Sequence, residues 1–429
     1  MEGFVENETH TVFFGQMFEG NITSDDEVMT YHYYQEHKEE LIKRTTKDNK
    51  TFWVCTLCGY IYDGENLPEN FVCPKCKQGA EKFYKEIVVN YMKNIYIITG
   101  ANGFLGNNIV RLLEKDNMNE IRALILPNDK TDALKGLKCE KFYGDVTKLE
   151  TLEDIFSIDQ KIKEKANIYV IHCASIVYLD SKYNERVYQV NVQGTKNIIQ
   201  KTKEIKAKLV YVSSVHAIEE KPNHEVMDEN ASFDPDKIVG LYAKTKAETT
   251  KYVFNEVKNN NLNACVVFPS GLLGVNDFTN TNMTVLIKNI LNEKVPSVTE
   301  GGYDFVDVRD VAKGIINACT KGKKGEGYIL SGEYVTIKKI ADLVCEYGAI
   351  RPITKVVSIN MVKNIAPLFE LYYRLRKKTP LFTKYSLYTL NANANFTNAK
   401  AKKVLDYQTR NIEYTIKDLV NEIKSNNNL

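Results

Sequence analysis

Three groups of side chains in the 429-residue sequence have types and spacings that could do chemistry. Cys55, Cys58, Cys73 and Cys76 form two C-x-x-C knuckles separated by fourteen residues. Two such knuckles can present four thiolates tetrahedrally, an arrangement suited to zinc or to a single iron. Gly59 leaves room for the backbone to fold close to sulfur, so that N–H···S bonds there would tune the metal. The second group is the run TGANGFLG (99 to 106), where Gly100, Gly103 and Gly106 stand at the spacing G-x-x-G-x-x-G. Glycines so spaced serve a tight turn, close approach of backbone to a pyrophosphate, and close packing of helix on strand. The third group is Tyr242 with Lys246, four apart in a helical pattern and therefore on one face. A tyrosine near its free pKa of about 10 is a poor acid or base at neutral pH, and a neighbouring ammonium favours the phenolate. Taken alone the pair reads equally as a surface helix pair. Ser213 and Ser214 follow the strand-like run 209 to 212, however, and there Ser214 could hold a substrate carbonyl beside Tyr242.

Positioning these groups requires strands that end at them. From residue 94 onward, apolar runs at 95–98, 121–126, 168–172, 209–212 and 265–268 alternate with amphipathic segments of helix length. That alternation predicts βαβ units and an α/β parallel sheet with helices on both faces. The helix after Gly106 would turn its free N–H groups and positive dipole end toward phosphates. Residues 1 to 50 contain one strand-like run, 11 to 18, which cannot close a core alone. The sequence closes with a helical pattern over 415–423 and an Asn-rich tail.

The net charge of +2 is a cancellation. Residues 1 to 90 carry 9 basic and 16 acidic side chains, a net of −7, against 48 and 39 beyond, a net of +9. The division marks a modular chain. Nine cysteines, an odd number, argue against a disulfide framework and for a metal at the clustered four. No run approaches the roughly 18 uncharged apolar residues that span a bilayer, and MEGFVENETH lacks the pattern of a secretion signal. A soluble, cytoplasmic protein is expected. The basic excess is spread out with no aromatic-basic motif, so neither nucleic acid nor membrane is an expected partner.

The residues around the cysteines carry a resemblance. Trp53, the run CTLCGYIYD (55 to 63), FVCPKC (71 to 76) and Phe83 resemble a rubredoxin of the short-loop kind attached to rubrerythrins, over about residues 51 to 90. The resemblance implies one iron on Cys55, Cys58, Cys73 and Cys76 that shuttles single electrons, with a redox-silent zinc site as the alternative. Lys77 departs from it, standing where such proteins usually have glycine. Upstream, HTVFFGQMFEG (10 to 20) and MTYHYY (29 to 34) are similar to the end of a flavin-reductase (flavoredoxin-like) domain whose flavin-binding barrel is absent. An edge strand followed by a linker is the plainer reading of residues 1 to 50.

Residues 92 to 425 resemble an extended short-chain dehydrogenase/reductase of the NAD-dependent epimerase/dehydratase kind, nearest its dihydroflavonol-reductase-like and nucleotide-sugar-epimerase-like branch. The matching pieces occur in family order: TGANGFLG (99 to 106), GDVT (144 to 147), IHCAS (171 to 175), NVQGTKNI (191 to 198), VYVSS (210 to 214), YAKTK (242 to 246), FPSGLLG (268 to 274) and FVDVRDVA (305 to 312). The resemblance implies a Rossmann doubly wound parallel sheet with a small C-terminal substrate subdomain, at about 275–300 and 340–425. It implies NAD(P) bound by Gly100, Asn102, Gly103, Phe104, Leu105, Gly106, Asp145, Val146, Ala174, Lys246 and Pro269. Ser214, Tyr242 and Lys246 would be catalytic, and Asn191 would order the active site. Val215 and His216 replace the Asp-Glu pair of family dehydratases, which speaks against sugar dehydration. The segment after the second strand reads Leu126, Pro127, Asn128, Asp129, Lys130, which satisfies neither the acidic rule for NAD nor the arginine rule for NADP. Residues 369–373 and 374–378 could form an aromatic and basic lip on the substrate site, or a solvated helix.

The expected activity is therefore hydride transfer to a carbonyl, or from an alcohol, of a small substrate. A sugar epimerase using bound NAD is the alternative. For the metal module the expected partner is a redox protein such as a flavoprotein or a rubrerythrin. A hydride carries two electrons and a single iron accepts one, so traffic between the modules would need a flavin between them. A homodimer is a candidate assembly.

Overall fold

The computed structural model describes residues 3–6, 11–14, 49–58, 60–63, 66–89, 93–178, 183–358 and 388–427. It divides into two units, Met1–Tyr91 and Met92–Leu429. In the first, β1 (Gly3–Glu6) and β2 (Thr11–Phe14) pair antiparallel. The sequence predicts only the second of these, because GFVE is too short and mixed to carry a strand pattern. The flavin-reductase likeness over 10–20 and 29–34 lies outside the described residues except at β2. A separate three-stranded antiparallel sheet has the order β4-β3-β5, built from β3 (Asn49–Cys55), β4 (Ile61–Asp63) and β5 (Phe83–Val89). Its core is little more than Cys55, Cys73 and Phe83, with Phe71 edge-on to Tyr62 at 4.7 Å and to Phe83 at 5.3 Å. So small a core needs a staple, and a metal on the cysteines would supply one.

In the second unit a seven-stranded parallel sheet has the order β15-β11-β10-β9-β6-β7-β8. Its strands are β6 (Lys93–Thr99), β7 (Asn119–Ile125), β8 (Glu140–Tyr143), β9 (Ala166–His172), β10 (Lys208–Val212), β11 (Ala264–Pro269) and β15 (Gly327–Leu330). The three short strands between β11 and β15 are β12 (Gly271–Leu273), β13 (Val298–Thr299) and β14 (Gly302–Asp307). Alternate residues of β6 face opposite cores: Ile95 and Ile97 one, Tyr96 and Ile98 the other. Burial on both faces is why the strands read as unbroken apolar runs. The longer helices are α1 (Phe104–Leu113), α2 (Gly194–Glu204), α3 (Leu241–Asn260), α4 (Asn282–Leu291), α5 (Val308–Lys321), α6 (Ile337–Gly348), α7 (Ala399–Leu405) and α8 (Ile412–Asn427). Ile198 of α2 and Ala247 of α3 pack into the first core; Ile109 of α1 and Ile315 of α5 pack into the second.

The chain runs from β6 outward to β7 and β8, then returns to β9 on the other side of β6. This reversal opens a crevice at the carboxyl ends of β6 and β9, where open α/β sheets bind ligands. All five strands the sequence predicts in this sheet are present, each longer by a residue or two at one or both ends, although β7 stops at Ile125, one residue short of the predicted end. The two it does not predict are β8, a polar edge strand, and β15, only four residues long. A smaller sheet, β12-β14-β16 with β16 at Glu333–Thr336, and the pair β13-β17, with β17 at Val356–Val357, complete the unit beside α6 and α8. Among the described residues no helix is long and apolar enough to cross a membrane.

Candidate active site and metal centre

The glycine run lies in the crevice. Gly100 has φ +66°, and a Cβ there would sit 2.8 Å from the Ala174 nitrogen, so only glycine lets β6 turn this close to the end of β9. At Gly106 a Cβ would collide with the Gly100 carbonyl oxygen and crowd Ala101, which fixes how tightly α1 starts on the sheet. Phe104 and Leu105 are buried in the core under that helix start. Gly103 precedes the helix and no side chain caps it, leaving the first-turn N–H groups for a ligand. Asn102 Nδ2 donates to Asp129 Oδ2 at 3.3 Å and to the Lys130 carbonyl, while its buried Oδ1 has no partner. An uncapped helix start, glycines at the close approaches and an orphaned acceptor are the features a dinucleotide's pyrophosphate and ribose require, so the residues fit that group.

Around the crevice, Ala174 N donates to Thr99 Oγ1 at 3.2 Å, and Pro269 ends β11 in register with Leu330 of β15. Val146 is buried against Gly194, whose missing side chain makes room for it. Asp145 accepts from Thr147 N at 2.9 Å, Thr147 Oγ1 at 2.8 Å and the Arg186 guanidinium at 2.8 Å. Burial alone would raise its pKa; Arg186 and Thr147 outweigh it and hold the carboxyl below the usual range. Asp145, expected among the dinucleotide-binding residues, is thus held by Arg186, a residue that no sequence motif singled out.

Tyr242, Lys246 and Ser214 converge where β10 ends and α3 begins. The Ser214 hydroxyl lies beside the Tyr242 hydroxyl, and Ser214 Oγ accepts from His216 N at 3.2 Å. Burial pushes the Tyr242 hydroxyl up to about 12, with Ser214 pulling the other way. Burial also pushes the Lys246 amine down to about 7, with Cys173 pulling the other way, and burial pushes the Cys173 thiol itself up to about 12. The amine donates to the Val212 carbonyl at 2.8 Å and lies 5.1 Å from the centre of the Tyr211 ring. The sequence argument has the ammonium stabilising a Tyr242 phenolate. In this arrangement the lysine is tied to the backbone instead, and desolvation governs both groups.

Asn191 lies in a π-helical turn, Gln189–Gln193, ahead of α2. It is 1% exposed and fully engaged: Oδ1 accepts from Ile176 N (2.8 Å) and Ser175 Oγ (3.1 Å), and Nδ2 donates to the Ile176 carbonyl (3.1 Å) and Thr245 Oγ1 (3.0 Å). Through Thr245, which donates to the Tyr242 carbonyl at 2.7 Å, it ties the loop after β9 to the helix that carries Tyr242.

A cleft opens next to these groups, with Val215, Ile218, Met227, Ala243, Tyr303 and Phe396 among its apolar lining and Glu220 and Lys237 as its charged residues. His216 also lines it, stacked on Tyr303 at 5.4 Å and edge-on to Tyr242 at 6.3 Å; burial pushes its pKa down to about 4, so it is neutral at pH 7. Glu220 accepts from Tyr388 Oη at 2.6 Å and Asn393 N at 2.7 Å, joining residues 388–396 to the 215–239 segment. The stretch 275–300, expected at the substrate site, does not line this cleft. Instead Asn276 is bonded to Asn107, Asn108 and Glu422. The lip expected at 369–378 lies outside the described residues.

In the first unit the four cysteine Sγ atoms lie within 4.8 Å of one another, with Cys55–Cys76 and Cys58–Cys73 each at 3.5 Å. Desolvation would raise the Cys55 and Cys73 thiols, yet backbone N–H groups of Leu57 and Cys58, and of Cys76 and Lys75, bring both down, Cys73 to about 7. Four converging sulfurs with N–H donors aimed at them fit a tetrahedral thiophilic metal. Lys77 adopts φ +62°, the left-handed conformation that suits glycine, so its departure from the rubredoxin pattern costs about 1 kcal/mol.

Comparison with known proteins gives two family matches. Residues 96–331 match the model described as the NAD dependent epimerase/dehydratase family, and residues 53–84 match the rubrerythrin, rubredoxin-like domain. Sterol demethylase protein B of Methylococcus capsulatus is 28% identical over 313 residues, 72% of this chain and 92% of that protein. 3beta-hydroxysteroid-dehydrogenase/decarboxylase isoform 1 of Arabidopsis thaliana is 25% identical over 343 residues, 72% of this chain and 75% of that protein. The crystal structure of gox2253 superposes with a TM-score of 0.66 at 26% identity, covering 77% of this chain and 98% of that one.

Proposed function

Because the chain belongs to the NAD dependent epimerase/dehydratase family and is an NAD(P)-dependent oxidoreductase with a rubredoxin-like metal site ahead of it, we propose that it interconverts an alcohol and a carbonyl on an apolar small substrate. The observation that carries this reading is the convergence of Tyr242, Ser214 and Lys246 beside a cleft lined chiefly by apolar and aromatic side chains. Steroid-acting relatives such as the Arabidopsis protein named above support the apolar class.

The dinucleotide, when bound, supplies or accepts the hydride. The chain's own residues handle the proton and the geometry. Tyr242 Oη donates a proton to the substrate oxygen in reduction and takes it back in oxidation. Ser214 Oγ holds that same oxygen by a hydrogen bond, so that charge developing on it is met by two donors. Lys246 supplies positive potential under Tyr242 once its amine is protonated, and Asn191 keeps the Tyr242 helix in register with the loop after β9. Val215, Ala243 and Phe396 shield the reacting carbon from water. Among the described residues lining the cleft, Lys237 is the one lysine or arginine, and the apolar and aromatic majority suits an apolar substrate better than the diphosphate of a nucleotide sugar.

For the cysteines we propose iron in preference to zinc, on the likeness to rubredoxin-like domains. Iron there would supply a one-electron couple, and a separate flavoprotein would exchange electrons with it. One preparation tests both proposals. Tyr242→Phe is expected to lose turnover of a hydroxysteroid or ketosteroid while still binding dinucleotide; retained turnover refutes the proton role. A coloured protein with one iron per chain supports the electron carrier, whereas a colourless one with stoichiometric zinc removes it.

A further inference from the structure

The acidity of the first ninety residues lies away from the cysteines in sequence. Residues 1–48 carry 4 basic and 11 acidic side chains, the whole of the −7, whereas residues 49–90 carry 5 of each. Next to the sulfurs the sign reverses. Residues 55–58 are uncharged, and 72–82 hold Lys75, Lys77 and Lys82 against Glu81, whose carboxylate lies back over Gly79.

The two knuckles present these lysines beside exposed apolar groups. Leu57 and Lys75 occupy matching places, each turning its backbone N–H toward the sulfur that opens its knuckle, Cys55 and Cys73 respectively. Leu57 is 64% exposed, and Val72, next to Cys73, is 55% exposed. Lys75 Nζ donates to the Cys58 carbonyl at 3.3 Å, so its charge spans from one knuckle to the other. Lys77 N donates to the Cys73 carbonyl at 2.9 Å, which seats that lysine against the second knuckle. The Lys82 carbonyl accepts from Thr56 N at 2.8 Å and Thr56 Oγ1 at 3.0 Å, which seats Lys82 against the first. All three lysines are exposed, and Cys58 and Cys76 are only half-buried, so the four-sulfur centre approaches solvent here.

Apolar side chains left in water around a metal centre mark a contact surface. Leu57 and Val72 are too few for a tight complex, and they suit the small, short-lived encounters of electron carriers. In such encounters the rim charge decides which partner arrives and how fast. A ring of ammonium groups attracts carboxylates and repels a basic surface.

We propose that Leu57, Val72, Lys75, Lys77 and Lys82 form the docking face for a flavoprotein whose flavin edge is ringed by carboxylates. The net −7 of residues 1–90 would favour a basic partner; the charge at the knuckles favours an acidic one. The inference rests on the reading of the cysteines as a metal centre served by a separate flavoprotein, and it adds the partner's charge and the side chains that meet it. The test is calorimetric titration of the full chain, its cysteines loaded with zinc so that binding is read without electron transfer, with flavodoxin as an acidic one-flavin probe. Raising the ionic strength from about 0.01 M to about 0.15 M is expected to weaken binding about tenfold. Changing the three exposed lysines together, Lys75→Gln, Lys77→Gln and Lys82→Gln, is expected to weaken low-salt binding at least about tenfold and to flatten the salt dependence, with one zinc per chain retained. That variant separates this face from the basic excess beyond residue 90. Absence of flavodoxin binding at low salt, binding untouched by the triple change, or tighter binding of the basic carrier cytochrome c overturns the proposal. A chain that takes up neither iron nor zinc overturns the metal reading and the proposal together, whereas a purified chain holding zinc alone overturns only the choice of iron.

Discussion

Replacing Lys246 by methionine should stabilise the cofactor-free chain while removing its activity, and the stabilisation should fade with rising pH. Lys246 is 3% exposed, and burial lowers its pKa from 10.5 to about 7. The folded state therefore disfavours the ammonium, and between those two values the unfolded chain binds more protons than the folded one. Stability must then rise with pH across that window, because deprotonation removes the penalty. At ~1.36 kcal/mol per pH unit, the fall from 10.5 to about 7 corresponds to a penalty of ~5 kcal/mol, fully developed only below pH 7. By the same linkage it is ~3 kcal/mol at pH 8 and ~1 kcal/mol at pH 10. Methionine fills the same volume without charge but forfeits the bond to the Val212 carbonyl, at a cost of about 1 kcal/mol. The advantage of Lys246→Met over the parent should accordingly shrink by ~2 to 3 kcal/mol between pH 8 and pH 10. Urea denaturation of both proteins at the two pH values measures it, since groups common to both cancel in the difference. A difference independent of pH would refute the claim that this lysine is desolvated.

Two further substitutions probe positioning rather than proton transfer. Asn191→Ala leaves Ile176 and Thr245 groups buried without their partner, so a stability loss of about 2 to 3 kcal/mol is expected in thermal or urea unfolding. Its kcat should fall more than its dinucleotide affinity, a split that a purely structural loss would not produce. Gly106→Val should abolish NADH binding in titration because its Cβ meets the Gly100 carbonyl and the Ala101 backbone, neither able to move without opening the turn. Retained NADH affinity in that variant would show the glycine loop lies elsewhere than at the pyrophosphate.

The parts legible in the sequence are those whose physics is local. The glycine run, the Tyr242–Lys246 pair and the two cysteine knuckles each depend on spacing within one turn, helix or loop, so residue type alone points to their geometry. The parallel strands were equally legible, because burial on both faces turns β6, β9, β10 and β11 into continuous apolar runs. What spacing does not carry is desolvation. Tyr242 and Lys246 are correctly paired on one face, yet their protonation is governed by how deeply α3 packs on β10, which is a property of the whole sheet. Arg186 is hidden for a related reason: it reaches Asp145 across 41 positions from a short helix without any motif.

The cleft shows the same limit at longer range. Its walls come from residues 215–243 and 388–396, with Tyr303 between them in sequence, and no periodicity links such distant segments. They are joined by polar contacts that a hydrophobic pattern cannot encode: Glu220 with Tyr388 and Asn393, Asn393 Nδ2 with the Lys221 and Glu225 carbonyls, and a single bridge between Met227 and Phe396. Buried amides with this many partners specify one arrangement because any other leaves several of them unpaired. The resemblance assigns 275–300 to the substrate subdomain, and in that segment Asn276 bonds to α1 and α8. The groups proposed for proton transfer are thus written in short motifs, whereas the cleft beside them is built by a hydrogen-bond network between segments more than 150 residues apart.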